Sequence, residues 1–108
     1  TGVNSLDYFC SLSNKPTAIV CANDQIAKGV ITRANILNIN IPDNLSVVGF
    51  DGIDSSDFLL KITTIRQNVS EISRILFDLI TSKEKTAKHK VVDVSLLIGD
   101  TCKKNMYD

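Results

Sequence analysis

An α/β fold built on a parallel sheet is the class this sequence predicts, and three observations carry it. Apolar residues run unbroken from Ala18 to Ala22 and again from Leu45 to Phe50, apart from Ser46 and Gly49, at strand length and without the alternation of a half-exposed strand. Between the runs, Ile26, Ala27, Val30, Ile31, Ala34 and Leu37 recur at helical spacing and make one apolar stripe. A strand, helix, strand order of this length favours a parallel pair joined by a right-handed crossover, with helices on the faces of the sheet.

The elements follow in order. Leu6, Phe9 and Cys10 fit one face of a short opening helix, ended by Asn14 and Pro16. Ala18 to Ala22 is the first strand, expected to be covered on both faces, and Asp24 to about Leu37 is the helix after it. Pro42 and Asn44 mark a loop before the second strand, Leu45 to Phe50. Asp51 to Lys61 reads as loop with a helical turn, and β-branched Ile62 to Ile65 as a third strand. Asn68 followed by Glu71 resembles a capping box opening a helix that carries Val69, Ile72, Leu76 and Leu79 and ends near Thr81. A lysine-rich connection, Ser82 to Lys90, leads to a last strand from Val91 to Ile98 and a polar tail.

Composition narrows the function. The 108 residues, 44% hydrophobic and 22% charged, suffice for one core. Twelve basic residues balance twelve acidic ones, whereas a domain that grips phosphate backbones concentrates positive charge, so this chain is not expected to hold nucleic acid directly. No apolar run approaches the roughly 20 residues of a membrane span. The chain opens at Thr1 without the pattern of a secretory signal, and is expected to be processed or part of something longer. Cys10, Cys21 and Cys102 fit neither a disulfide framework nor a zinc site, and read as reduced thiols of a cytoplasmic protein, with Cys21 in the core. His89, between two lysines, reads as a loop residue, and no metal or cofactor is expected. Lys83, Lys85, Lys88 and Lys90, interrupted by Glu84, read as a solvated loop. Neither a phosphate-binding glycine loop nor a nucleophile elbow occurs.

Ligands of open parallel sheets bind beyond the carboxyl ends of the strands. There the sequence puts Asn23 and Asp24 after the first strand, Asp51 after the second, and Arg66, Gln67 and Asn68 after the third. A carboxamide donates and accepts, and a carboxylate can bridge adjacent hydroxyls, so the set suits a sugar. Each residue also has a structural alternative: Asn23 or Asp24 as a helix N-cap, and Asp51 as the start of a turn.

Read together, the segments Pro16-Thr17-Ala18-Ile19-Val20-Cys21-Ala22-Asn23-Asp24-Gln25-Ile26-Ala27-Lys28-Gly29, Ile41-Pro42-Asp43-Asn44-Leu45-Ser46-Val47-Val48-Gly49-Phe50-Asp51 and Ile62-Thr63-Thr64-Ile65-Arg66-Gln67 closely resemble the lactose and galactose repressor family. The resemblance implies part of an effector-binding core of the type I periplasmic-binding-protein-like kind, whose lobes are three-layer, parallel-sheet structures; here the lobe is incomplete. It assigns residues 1–66 to the carboxy-terminal lobe, 67–101 to a crossover, helix and strand that belong with the amino-terminal lobe, and 102–108 to a polar tail. It implies a small-molecule effector, a sugar or sugar derivative, bound between lobes, operator DNA bound only through a region absent here, and a homodimer in the intact protein. Carried over by position, Asn23 and Asp51 are the expected effector contacts, Gln67 and Asn68 lie at the cleft edge or hinge, and Asp24 is either a further ligand contact or a cap. The chain departs from the family in lacking a proline before Thr63, in Gly99, where relatives commonly carry a basic residue, and in Asn68, where they carry proline or aspartate.

The function expected is therefore effector sensing in a transcriptional regulator, not an enzyme. A secreted sugar-binding protein of a transporter is the alternative, which an upstream signal peptide would favour. A phosphate-accepting receiver domain would need an acidic pair and a lysine at other strand ends; Asn23-Asp24 supplies part of the first requirement, and no placed lysine supplies the second.

Overall fold

The computed structural model describes residues 1–53, 58–83 and 89–104. The elements run α1 (Gly2–Ser11), β1 (Ala18–Val20), α2 (Asp24–Ile36), β2 (Ser46–Asp51), β3 (Thr63–Gln67), α3 (Val69–Thr81) and β4 (Val94–Leu97). The strands form one sheet in the order β1-β2-β3-β4, with the first three parallel and β4 antiparallel to β3. The predicted α/β class and the strand, helix, strand unit are both present.

The apolar stripe of α2 explains where the core lies. Ala27, Val30, Ile31 and Ala34 are buried against Ile19 and Val47, which pair across β1 and β2 and so share a face. Leu6 of α1 closes this layer, and Arg33 Nε donates to Asp7 Oδ1 at 2.8 Å to tie α1 to α2. Leu37, assigned to the stripe, is 38% exposed because α2 stops at Ile36 and Asn38 turns away with φ 55°.

Three expectations need correcting. First, β1 is not covered on both faces: Val20 is 79% exposed, because α1 and α2 form a single helical layer on the opposite face. The second helical layer of a three-layer lobe is not built by the described residues. Second, β3 extends through Arg66 and Gln67, beyond the β-branched run, because β4 supplies partners for them at Ser95 and Val94. Third, β4 is confined to Val94–Leu97, since Val91 to Asp93 lie outside its pairing with β3. The loop expected after Asp51 falls partly outside the described residues, as do Lys85 and Lys88.

Beyond β4 the chain packs back against β2 and β3 at Thr101. Thr101 is completely buried, its Oγ1 donating to the Val47 carbonyl at 2.6 Å and accepting from Thr63 N–H at 2.9 Å. Its own carbonyl accepts from Val47 N–H at 2.8 Å, so Thr101 fills the gap between β2 and β3 where their ladder has not yet begun. Gly99 fits beside this strap because a Cβ there would run into the Lys61 carbonyl, which gives a steric reason for its departure from the family pattern. Thr101→Val keeps the shape and removes the hydroxyl. Thr63 N–H then has no acceptor, while the Val47 carbonyl keeps the weak Cys102 thiol donor at 3.3 Å. A buried group left unpaired costs about 1–3 kcal/mol, so urea unfolding is expected to show a loss of about 2 kcal/mol.

α3 is the exception to compactness. None of its residues is buried, and Val69, Leu76, Phe77 and Ile80 are 65, 52, 67 and 81% exposed. The radius of gyration, 17.6 Å, exceeds the roughly 13 Å expected for a compact chain of this length. A 13-residue helix gains little stability alone, so its apolar side calls for a partner.

Candidate functional site

The carboxyl ends of β1, β2 and β3 lie side by side, as a parallel sheet requires, and they bring the sequence-predicted residues to one edge. Asn23 follows β1 and opens α2. Its extended backbone, φ −158°, lets Oδ1 accept from Ile26 N–H at 2.8 Å, so the N-cap role is real and engages the carboxamide oxygen. Asn23 stays half-buried.

Asp51 ends β2 with φ 107°, a conformation that L side chains rarely adopt. Its half-buried carboxylate accepts from Gln67 Nε2 at 2.8 Å, so the ends of β2 and β3 are joined by a side-chain bond. Strand pairing sets Asp51 opposite Arg66, which puts Gln67 one step beyond it. Asn68 is exposed and caps α3, its Oδ1 accepting from Glu71 N–H at 3.1 Å. The capping box is half-formed, because Glu71 turns to Arg74, with Arg74 Nη2 donating to Glu71 Oε1 at 2.6 Å. That guanidinium holds the Glu71 carboxyl below its ordinary pKa. Asn68, with Arg66 and Gln67, lines a shallow hollow against Asp93, Val94 and Ser95.

Asp24 behaves differently from the other four. It is 1% exposed and turned into the sheet, where Oδ1 accepts from Thr64 Oγ1 at 2.6 Å and Oδ2 from Ile53 N–H at 2.8 Å. With both oxygens engaged and no surface, it is built into the scaffold beneath the edge and is not exposed to a ligand. Nothing in the local sequence marks Thr64 as its partner, since a threonine in a β-branched run reads simply as strand. Cys21 is buried as expected, and burial, followed by the nearby Asp24 charge, pushes its thiol pKa up.

Among the described residues, the remaining side chains point to no second site of the same kind. His89 is exposed, and among the described residues no group of histidine, cysteine or carboxylate side chains could hold a metal ion. A surface cavity of about 180 Å³, lined by Leu6, Phe9, Pro16, Ile19, Ile39 and Leu45 among others, is at the amino end of β1, away from Asn23 and Asp51. Asn23, Asp51 and Gln67 therefore lie along one open edge of the sheet. No helix among the described residues is long and apolar enough to cross a membrane.

Residues 3–102 match the family model for the periplasmic binding protein-like domain. The chain is 31% identical over 109 residues to the HTH-type transcriptional repressor PurR of Vibrio vulnificus, a match covering 96% of the chain and 33% of the repressor. In structure it is similar to a LacI-type transcription regulator from Bifidobacterium animalis subsp. lactis, with TM-score 0.84, 24% identity, and 95% of this chain and 39% of that one covered. A LacI family regulator from Lactobacillus casei with bound sucrose shares the fold at TM-score 0.74 and 21% identity, over 94% of this chain and 39% of that one. The chain thus spans about a third of the length of the curated relatives it matches. The matched family model covers nearly the whole chain, so this chain belongs to the periplasmic binding protein-like domain family.

Proposed function

We propose that the chain is the carboxy-terminal part of the effector-sensing core of a DNA-binding transcriptional repressor, and that it supplies one wall of a cleft for a small polyhydroxylated ligand. The observation that carries this is the convergence of Asn23, Asp51 and Gln67 at adjacent strand ends, with Asp51 and Gln67 bonded at 2.8 Å. A carboxylate already oriented by a carboxamide is preorganised to accept from vicinal hydroxyls, and amide groups on either side add donors. The sucrose held by the Lactobacillus casei regulator favours a sugar or sugar derivative as the class. The repressor relatives favour a cytoplasmic regulator over a secreted transport protein.

In this reading residues 67–101 supply a crossover, helix and strand that belong with the amino-terminal lobe, which gives the cover that the exposed apolar residues of α3 call for. Operator DNA is held by a region outside this chain, and the intact protein pairs with a second copy. Ligand binding acts by favouring one arrangement of the lobes, and so changes operator affinity without making or breaking a bond. Asn68, exposed and engaged in capping, serves at the hinge.

Calorimetric titration of the intact protein with glucose, galactose, ribose, glucuronate and sucrose tests the reading. At least one is expected to bind, and Asn23→Ser, which preserves a capping oxygen but shortens the reach, is expected to weaken binding by about tenfold, the equivalent of one lost hydrogen bond. No heat with any of the five, or unchanged affinity in Asn23→Ser, would remove the assignment.

A further inference from the structure

We propose that Asp24 and Thr64 are positioning residues that fix the Asp51 carboxylate for its ligand, an inference that rests on Asp51 being an effector contact. Asp24 opens α2 and Thr64 lies in β3, 40 residues apart, yet their side chains meet at 2.6 Å in the protein interior. From there the pair grips the two peptide N–H groups that follow Asp51. Gly52 N–H donates to Thr64 Oγ1 at 3.3 Å, and Ile53 N–H donates to Asp24 Oδ2 at 2.8 Å.

Those two bonds fall where the backbone is least able to hold itself. Asp51 has φ 107° and Gly52 has φ 71°, so two consecutive residues stand in the region that favours glycine. Such a conformation persists in a residue with a Cβ only where its surroundings over-determine it. The turn is also pressed flat on β3, since a Cβ at Gly52 would come within 2.7 Å of the Arg66 Cβ. Held in this way, Asp51 directs its carboxylate sideways to Gln67 Nε2 at 2.8 Å. The chain of contacts thus runs from a carboxylate inside the lobe, through a hydroxyl and two amides, to the carboxylate at the edge. Asp24 acts on the ligand through Asp51, which explains how a 1%-exposed carboxylate can matter to binding.

The test uses the isosteric Thr64→Val, which removes the hydroxyl at constant volume, and Thr64→Ser, which retains it. Both are made in the intact protein labelled with 15N-glutamine, the side-chain amide signal of Gln67 being assigned by its disappearance in Gln67→Leu. In Thr64→Val that signal is expected to move toward the position of a solvent-exposed carboxamide, and affinity for whichever sugar of the panel binds is expected to fall about tenfold or more, as for loss of a positioned hydrogen bond. Thr64→Ser is expected to restore both. An unmoved Gln67 signal in Thr64→Val, or a moved signal with unchanged sugar affinity, overturns the proposal. If no sugar of the panel binds the unmodified protein, the effector reading fails by itself, and the Gln67 signal still decides whether Asp24 and Thr64 set the Asp51 carboxylate.

Discussion

Gly49→Ala is expected to cost about 3–5 kcal/mol of stability. The added Cβ would land on Asp24 Oδ1 and lie 3.2 Å from Asp24 Cγ and 3.3 Å from Asp24 Cα. Overpacking a closed core costs about 1–3 kcal/mol where neighbours can shift. Here the neighbour is a buried carboxylate whose two oxygens hold Thr64 and Ile53, so a shift breaks both bonds. Leaving these buried groups unpaired adds about 1–3 kcal/mol, so the sum centres on the stated range. For a domain of this size that corresponds to a fall in melting temperature of at least about 12 °C, read by circular dichroism. A fall of less than about 4 °C would mean that Asp24 is not held as described.

Asp51→Ala is expected to reduce sugar affinity of the intact protein by roughly 100- to 20,000-fold, or about 3–6 kcal/mol, because hydrogen bonds to a charged group are worth about 1.5–3 kcal/mol each and two would be lost. The variant also leaves Gln67 Nε2 without its acceptor and puts alanine at φ 107°, so the backbone of the turn is disturbed as well. Asp51→Asn separates these effects. It retains an oxygen for Gln67 and a side chain that tolerates positive φ, but loses the charge, and should fall between the two proteins in calorimetry. Binding by Asp51→Ala at the unmodified affinity would exclude Asp51 as an effector contact.

Much of the site was legible because its cues are local. The N-caps at Asn23 and Asn68 follow from an Asn three residues before a free helix N–H, and both bonds are present. Asp51 follows from the end of an apolar run, and β2 ends there. Local cues could not say which way each side chain turns. Asn23 and Asp24 are neighbours in sequence with similar polarity, yet one faces the edge and the other the interior, because α2 begins between them and turns the second toward Gly49 and Thr64.

By itself, the sequence determined the α/β class, the α2 stripe, both helix starts and the set of polar residues at the strand ends, since each depends on periodicity or on partners within four residues. The tertiary structure alone decided that β3 runs on to Gln67, that Thr101 returns to stitch β2 to β3, that one helical layer covers the sheet, and that Asp24 supports the turn after Asp51. The pairings and hydrogen bonds behind these decisions join residues 27 to 54 positions apart. Pairs so distant leave no periodic trace in the chain, because burial and hydrogen-bond geometry select them only once the sheet has formed.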